Sequence, residues 1–272
     1  MYFAKGHGAG NDFVLLPDPD GELDLTAELV ATLCARHFGI GADGVLRIVR
    51  TAKHPEVARY AGDAEWFMDY WNADGSLAEM CGNGVRVFAR YLTGYGLVDA
   101  TRFPVATRAG LVTVDVTPTE VSVDMPLPRL GAGSVVRLAG TDYAGTAADV
   151  GNPHLGCAVD DVSTVDFREP PQFDATVFPE SANVEFVAAA EPLDGVDAHV
   201  RMRVYERGSA ETLACGTGAC AAVAVLRRRA KVDATATVDL PGGRLEIRWD
   251  GPGHTLWMTG PAAFVYEGDW NE

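Results

Sequence analysis

Short runs of alternating apolar and polar residues occupy much of the chain, and this period of two is typical of half-buried β-strands. Apolar side chains recur at every second position of 112–116 and 121–125, and the polar link between these segments predicts a hairpin. Residues 200–204 alternate valine and methionine with arginine in the same way. Shorter apolar runs predict further strands at 14–16, 45–49, 66–71, 183–187 and 263–266.

Three other segments have helical patterns. Residues 26–38 are amphipathic, 85–92 are largely apolar and end at Gly94, and 221–226 form an alanine-rich apolar run. The last of these is followed by Arg227, Arg228 and Arg229, and cations are favoured in the last turn of a helix. Residues 5–13 are rich in glycine, and because no helix follows them we predict a loop between two strands.

Two of the predicted helices follow the same motif, Cys-Gly-x-Gly. The first copy is Cys81-Gly82-Asn83-Gly84 and the second is Cys215-Gly216-Thr217-Gly218, about half of the 272-residue chain apart. A motif that recurs at half length suggests a duplicated pair of domains. The sequence therefore predicts an α+β fold of two pseudo-symmetric domains, each a mostly antiparallel sheet wrapped around a central helix.

The boundary between these domains is predicted where prolines interrupt the strand pattern, at Pro126 and Pro128. This gives an N-terminal domain of 1–126 and a C-terminal domain of 127–260.

Cysteine usage favours free thiols. The chain has five cysteines and no Cys-x-x-Cys pair, so neither a disulfide framework nor a structural zinc site is predicted. Cys34, Cys157 and Cys220 lie in apolar surroundings and are interpreted as buried packing residues. Cys81 and Cys215 each precede a helix, where the positive end of the helix dipole is expected to lower a thiol's pKa. The N–H groups of the same helix ends form a seat for an anion.

Net charge and composition exclude several classes of partner. The net charge is −16, whereas nucleic acids and anionic membrane surfaces attract basic patches. Residues 1–7 lack the pattern of a signal peptide, and the longest apolar run, near 219–226, is far shorter than the ~18 residues of a membrane span. We therefore expect a cytoplasmic protein that binds neither nucleic acid nor membrane.

Two thiols at two helix ends suit the inversion of an α-carbon by two bases. One cysteine removes a proton as thiolate while the other delivers a proton as thiol, and the roles swap in the reverse direction. The helix N–H groups would stabilise the charge that develops on the substrate's carboxylate. The six histidines are scattered, so no metal site is predicted, and neither pyridoxal phosphate nor another cofactor is expected. Asn11 and Asn72 are either turn residues or ligand-binding amides, and His7 and His154 are expected to serve turns or to support other residues.

The chain resembles the diaminopimelate epimerase family along nearly its whole length. The segments that carry the resemblance are His7-Gly8-x-Gly10-Asn11-Asp12-Phe13, Arg36 to Gly44, Asn72 to Ser76, Met80 to Gly84, Gly151-Asn152-Pro153-His154, Asn183 to Phe186 and Glu206 to Gly218. The resemblance implies cofactor-independent interconversion of LL- and meso-diaminopimelate, on the route to lysine and peptidoglycan precursors. It also implies a homodimer of two-domain subunits whose last strand, about 261–272, returns to the N-terminal domain.

The resemblance assigns roles to individual residues. It implies that Cys81 and Cys215 are the catalytic base and acid, and that Glu206 contacts a substrate amine. The groups implied to hold the distal amino-acid end are Asn11, Asn72, Asn152, Asn183 and Arg207. The helix-end donors are Gly82, Asn83, Gly216 and Thr217. The chain departs from the family at Gly6, Ala9 and Gly44, which bear on how the entry loop closes.

Two other functions compete with this interpretation. A proline or hydroxyproline racemase also pairs two cysteines, but proline has no second amino-acid end for the asparagines and Arg207 to hold. A protein of another class, with a redox or binding role, would use Cys81 and Cys215 as a switchable disulfide.

Overall fold

The computed structural model of the chain describes residues 1–228 and 235–271. The first part of the chain forms β1 (Tyr2–Gly8), β2 (Asn11–Pro17), α1 (Ala27–Cys34), β3 (Gly44–Arg50), β4 (Trp66–Asn72), α2 (Gly82–Gly94), β5 (Arg102–Thr107), β6 (Gly110–Val116) and β7 (Val121–Met125). The second part forms β8 (Arg129–Leu138), β9 (Thr141–Asp149), β10 (Pro153–Ala158), β11 (Gln172–Phe173), β12 (Asn183–Ala189), β13 (Ala198–Glu206), β14 (Ala210–Thr212), α3 (Gly216–Arg228), β15 (Thr235–Leu240), β16 (Gly243–Trp249), β17 (Leu256–Gly260) and β18 (Ala263–Asp269).

These elements build two compact units. Unit 1 comprises Met1–Val123 and the chain from Gly260 onward, and unit 2 comprises Asp124–Thr259. We propose that the units correspond to the domains 1–126 and 127–260. Among the described residues no helix is long and apolar enough to cross a membrane.

In unit 1 a curved sheet surrounds α2. The strand order is β18-β1-β2-β3-β4-β5-β6-β7, with parallel pairs only at β2–β3 and β4–β5 among these neighbours. Helix α2 contacts β1, β2, β3, β4, β6 and β18, and most of its side chains are buried. Helix α1 packs on the opposite face, in a core with Val14, Leu16 and Val45. Strand β2 is covered on both faces, which explains its continuous apolar run.

Unit 2 repeats this topology. Its strand order is β8-β9-β10-β12-β13-β15-β16-β17, and the parallel pairs, β10–β12 and β13–β15, fall at the same two places in the order. Helix α3 contacts β9, β10, β12 and β16, as α2 does in its own sheet. In this repeat β18 holds the position in unit 1 that β8 holds in unit 2. The predicted α+β class, with two pseudo-symmetric sheets around central helices, is confirmed.

The predicted helix over 26–38 was too long. Thr26 caps α1 by accepting the N–H of Leu29 at 3.2 Å, but the helix ends at Cys34. The chain then folds back so tightly that a Cβ on Gly39 would lie 2.0 Å from the carbonyl oxygen of Thr32. Phe38, the last residue of the predicted helix, consequently lies outside α1 and is 90% exposed.

The glycine-rich loop predicted over 5–13 is mostly strand. Only Ala9 and Gly10 form a turn, both with positive φ (53° and 82°), and they join β1 to β2 as a hairpin. The burial predicted for Cys34, Cys157 and Cys220 is confirmed. Arg229, predicted at the end of the third helix, lies outside the described residues, whereas Arg227 and Arg228 occupy the last turn of α3.

A buried ion network ties β3 to β4 in unit 1. The Asp69 side chain is 1% exposed and contacts Arg108 at 2.5 Å and Arg47 at 3.6 Å. Arg47 also pairs with Asp18, and Arg108 pairs with Glu56. Removing the central carboxylate leaves two cations with less compensation in a site of low polarity, which is costly.

We predict that Asp69→Ala lowers the free energy of unfolding by about 3 kcal/mol, because two largely buried guanidinium groups lose a shared partner. Asp142→Ala is the matched control, since Asp142 pairs with Arg137 at 2.6 Å on the exposed surface. Surface pairs contribute little, so that variant should unfold at nearly the same denaturant concentration as the parent. Equal losses in the two variants, measured by denaturant unfolding, would contradict this account of the network.

Candidate active-site residues

Both Cys-Gly-x-Gly motifs have the same local geometry. Cys81 is the N-cap of α2, and the backbone N–H of Gly84 donates to its sulfur at 3.5 Å. Cys215 immediately precedes α3, and the N–H of Gly218 donates to its sulfur at 3.3 Å. Each sulfur thus takes the place of the side-chain oxygen that normally caps a helix. The predicted position of both cysteines at helix N-termini is confirmed.

Amides surround Cys81 in unit 1. The thiol lies 3.6 Å from Oδ1 of Asn11, and Nδ2 of Asn83 donates to the same oxygen at 3.3 Å. The amide nitrogen of Asn11 in turn donates to Asp43 at 2.8 Å. Asn11 therefore joins β2 to the first turn of α2, and its side chain lies at the cysteine rather than within a turn of its own.

A charged cluster supports Asn11 from behind. Asp12 forms ion pairs with Lys5 and Arg36, both at 2.8 Å, and Arg36 also pairs with Asp43 at 2.7 Å. Burial alone would raise the pKa of Asp12, but its bonds to Arg36 and Lys5 lower the pKa to about 2. This cluster fixes the loop after α1 to the start of β2. We did not assign roles to these residues from the sequence, although Arg36, Asp12 and Asp43 lie in the segments that carry the family resemblance.

Asn72 serves the turn that follows β4. Its Nδ2 donates to the Ser76 hydroxyl at 3.0 Å, and its backbone N–H donates to the Ser76 carbonyl at 2.9 Å. The turn-residue interpretation therefore describes its contacts in this structure. The role of Asn72 as a substrate ligand stays a prediction.

Cys215 in unit 2 is buried beside carboxylates. The sulfur lies 3.4 Å from the hydroxyl of Thr217, and the nearby Glu206 accepts a hydrogen bond from the hydroxyl of Thr212. Burial, followed by the charges of Glu206 and Glu185, raises the pKa of the Cys215 thiol well above its ordinary value. The bonds from Thr217 and Gly218 act in the opposite direction but are outweighed. The lowered pKa that we predicted for Cys215 is therefore wrong.

The same burial acts on Glu206. Desolvation raises its pKa, and the nearby Glu185 adds to this effect, while the bond from Thr212 opposes it. A carboxylate held in such surroundings is stabilised when a cation arrives.

A chain of hydrogen bonds joins three further polar side chains in unit 2, those of Asn152, His154 and Glu185. His154 and Glu185 are completely buried, and Nδ1 of His154 lies 2.7 Å from Oε1 of Glu185. Nε2 of His154 lies 2.8 Å from Oδ1 of Asn152. Gly218 allows α3 to approach this chain, because a Cβ there would lie 2.6 Å from Oε1 of Glu185 and 3.2 Å from the Cys215 sulfur. The supporting role expected for His154 fits these contacts.

Asn183 and Arg207 lie at the ends of the neighbouring strands β12 and β13. Oδ1 of Asn183 accepts the backbone N–H of Arg207 at 2.8 Å, so the amide fixes the chain just before the guanidinium. The Arg207 side chain is exposed and donates to the carbonyl of Glu180 at 3.4 Å.

Sequence reasoning missed Glu185 as a site residue. The available signal was its place in the strand Asn183–Ala189, where it is the one charged residue and apolar side chains follow it. Unit 1 thus brings Asn11 and Asn83 to Cys81, and unit 2 brings Glu206, Glu185 and Thr217 to Cys215, with His154 and Asn152 joined to Glu185. Within the part of the chain that the structure describes, no three His, Cys, Asp or Glu side chains form a group that could hold a metal ion.

Comparisons with known proteins agree with this picture. The profile of the diaminopimelate epimerase family matches residues 3–130 and 146–265. A diaminopimelate epimerase of Thermobifida fusca is 53% identical and covers 99% of this chain and 97% of its own length. One from Streptomyces coelicolor is 47% identical, covering 99% and 95%. The crystal structure of a Bacillus anthracis phenazine biosynthesis protein of the PhzF family has the same fold, with a TM-score of 0.69 and 17% identity over 98% of each chain.

The raised pKa of Cys215 predicts how its alkylation depends on pH. Since the thiolate is the reactive form, alkylation of Cys215 should begin only at a pH above that of an ordinary cysteine. Glu206→Gln removes a negative charge that opposes the thiolate, so the pKa falls and alkylation should begin at lower pH. The rates can be followed by peptide mass spectrometry, which distinguishes Cys215 from the other cysteines.

The control for this experiment is Glu211→Gln, because Glu211 pairs with Arg203 at 2.7 Å and is not among the groups that act on Cys215. Its pH profile should match the parent. If Glu206→Gln also leaves the profile unchanged, the electrostatic account of Cys215 is wrong.

Proposed function

The chain belongs to the diaminopimelate epimerase family and is an isomerase, and we propose that its reaction is the interconversion of LL- and meso-diaminopimelate. The observation that carries this proposal is the pair of cysteines capping the central helices of two repeated units, in a chain that matches the family along nearly its whole length. We further propose that the reaction serves lysine and peptidoglycan precursor synthesis in the cytoplasm.

The mechanism that we propose uses Cys81 and Cys215 as two bases. One thiolate removes the α-proton from one face, and the other thiol delivers a proton to the opposite face, so that the carbon is inverted and the two sulfurs exchange protonation states. The raised pKa of Cys215 supports a protonated Cys215 as the acid at rest. In a turnover that starts from this resting state, Cys81 is the base that removes the α-proton. In the reverse reaction Cys215 is the base. No pyridoxal phosphate or other cofactor takes part in this scheme.

The charge that develops on the substrate needs fixed donors. The first turn of each helix, Gly82 and Asn83 in α2 and Gly216 and Thr217 in α3, directs backbone N–H groups away from the helix body. We propose that these groups bind the α-carboxylate as the C–H bond breaks. A fixed donor of this kind contributes about 3 kcal/mol to the transition state.

The distal end of the substrate requires its own set of groups. We propose that Asn11, Asn72, Asn152 and Asn183 bind the distal amino and carboxyl groups. Arg207, whose guanidinium is exposed, suits a bidentate grip on the distal carboxylate. Glu206 suits an ammonium group, because a cation would relieve the burial that raises its pKa. This set distinguishes diaminopimelate from proline, which has no second amino-acid end.

We predict that the purified, reduced protein converts LL- to meso-diaminopimelate without added cofactor, as read by chiral chromatography. Cys81→Ser and Cys215→Ser should each lower the rate by about 10²–10⁴, because each removes one acid–base partner. Cys34→Ala is the control, since Cys34 is buried in the apolar core around α1, and it should retain activity near that of the parent. Near-normal turnover in either serine variant would refute the two-base assignment, and conversion of proline alone would refute the substrate.

We also propose that the protein works as a homodimer. Several aromatic and apolar side chains on β18 and near it are exposed, namely Tyr2, Tyr95, Phe264, Val265 and Tyr266. We take these exposed side chains as the interaction surface, because exposed apolar patches mark interaction sites. The proposed occupant is the same surface of a second copy of the chain.

The dimer makes a separate prediction. Val265 is 59% exposed, and Val265→Glu should convert dimers to monomers by placing a charge in the interface. Leu111→Glu is the control, because Leu111 is 41% exposed on β6 and outside this surface. Light scattering coupled to size-exclusion chromatography gives the masses. A parent protein that is monomeric at micromolar concentration, or a Val265→Glu variant that stays dimeric, would contradict the proposal.

A further inference from the structure

Asn152, His154 and Glu185 form a buried chain of hydrogen-bonded side chains, and these bonds determine how many protons His154 and Glu185 share. Both ring nitrogens of His154 face oxygen atoms, Oε1 of Glu185 at 2.7 Å and Oδ1 of Asn152 at 2.8 Å. A neutral imidazole carries only one N–H, so two hydrogen bonds to two oxygens need one further proton. That proton lies either on the ring, which gives imidazolium and carboxylate, or on Glu185, which then donates to Nδ1. In both arrangements Nε2 of His154 carries a proton.

The proton on Nε2 sets the orientation of the Asn152 amide. The structure places Oδ1 of Asn152 at Nε2, which matches an Nε2–H donor, and the NH₂ group is therefore turned away from the histidine. An asparagine without such a neighbour presents either its oxygen or its nitrogen to a ligand. Here the amide is a hydrogen-bond donor toward its open side, which suits the oxygen atoms of a carboxylate.

The arrangement depends on Glu185, because its buried carboxyl group needs His154 as a partner. Its strand neighbours Val184 and Phe186 are fully buried apolar residues, and its Oε2 makes no hydrogen bond within the described part of the chain. A buried carboxylate is costly unless it is paired. The titratable groups around it are His154 on β10, Glu206 on β13 and Cys215 before α3, and of these only the histidine can pair with it as a cation.

We propose that Glu185 is a positioning residue: through His154 it holds the Asn152 amide as a hydrogen-bond donor to a carboxylate of the substrate. The proposal rests on the proposed function, because it takes Asn152 to contact diaminopimelate. It goes further because it assigns a positioning role to Glu185 and makes the Asn152 amide a hydrogen-bond donor to the substrate. The residue touches no substrate; besides its charge, which acts on Cys215, it acts on the affinity for the carboxylate through His154 and Asn152.

Two variants at one position separate orientation from charge. Gln in Glu185→Gln can donate from its amide to Nδ1 of His154 and so keep the proton on Nε2, whereas Met in Glu185→Met has a similar volume but cannot. Both remove the carboxylate near Cys215, so both should change the pH profile of kcat alike. We expect KM for LL-diaminopimelate near the parent value in Glu185→Gln and about 10- to 100-fold higher in Glu185→Met, the range for a lost hydrogen bond to a charged group. Equal KM values in the two variants would overturn the proposal.

A second readout does not depend on activity. Nitrogen-15 NMR of the imidazole, assigned with His154→Gln, should show a proton on Nε2 in the parent and in Glu185→Gln, and a mixture of tautomers in Glu185→Met. An unprotonated Nε2 in the parent would refute the inference even if the protein is an epimerase. If instead the parent converts no diaminopimelate but Nε2 is protonated, the proposed function fails and the proton count stands.

If Glu185→Met does not fold, Asn152→Asp takes its place. Aspartate has the shape of asparagine but no NH₂ group, so the proposal expects KM to rise to the same extent, with kcat changed much less. An unchanged KM in Asn152→Asp would overturn the assignment of Asn152 as a donor.

Discussion

In each unit a backbone N–H at the start of the long central helix donates a hydrogen bond to a cysteine sulfur, from Gly84 to Cys81 and from Gly218 to Cys215. The rest of each unit is arranged around this contact. A sulfur at the helix cap leaves little space for side chains in the first turn, where glycines are found. A Cβ on Gly218 would contact both the Cys215 sulfur and Glu185. The sheet then surrounds the helix and buries its body, which holds the sulfur and the first turn in one fixed position.

The two copies of this contact have different electrostatic surroundings. The Cys81 thiol contacts the amide of Asn11, and behind Asn11 the carboxylates of Asp12 and Asp43 are balanced by Lys5 and Arg36. Around Cys215 burial of the sulfur, followed by the charges of Glu206 and Glu185, raises the thiol's pKa and outweighs the hydrogen bonds from Thr217 and Gly218. The proposed two-base mechanism, in which one cysteine begins as the acid and the other as the base, gains from such a difference, because the repeated topology alone would make the two sulfurs equivalent.

Local signals made much of this predictable, and long-range contacts account for what was not. The two Cys-Gly-x-Gly helices, the hairpins and the α+β class follow from spacing within a few residues. The end of α1 at Cys34 does not; the chain after it is held by the pairs of Arg36 with Asp12 and Asp43, which are remote in sequence or lie in the following loop. The sign of the Cys215 pKa shift depends first on burial of the sulfur and then on Glu206 and Glu185, which belong to other strands and come near the sulfur only after folding. The place of β18 beside β1 is equally remote in sequence; no local pattern predicts it, and the return of the last strand was expected from the family resemblance alone.

The two-base inversion is the central claim, and isotope exchange in deuterated water tests it most directly. During the first turnovers of LL-diaminopimelate, the account predicts meso product with solvent deuterium at the inverted α-carbon, while the recovered LL substrate stays free of deuterium. This follows because the base that takes the substrate's proton is not the acid that protonates the product. Meso product that retains the original hydrogen, or deuterium that enters the recovered substrate as fast as the product, would mean that a single base serves both faces and would contradict the account.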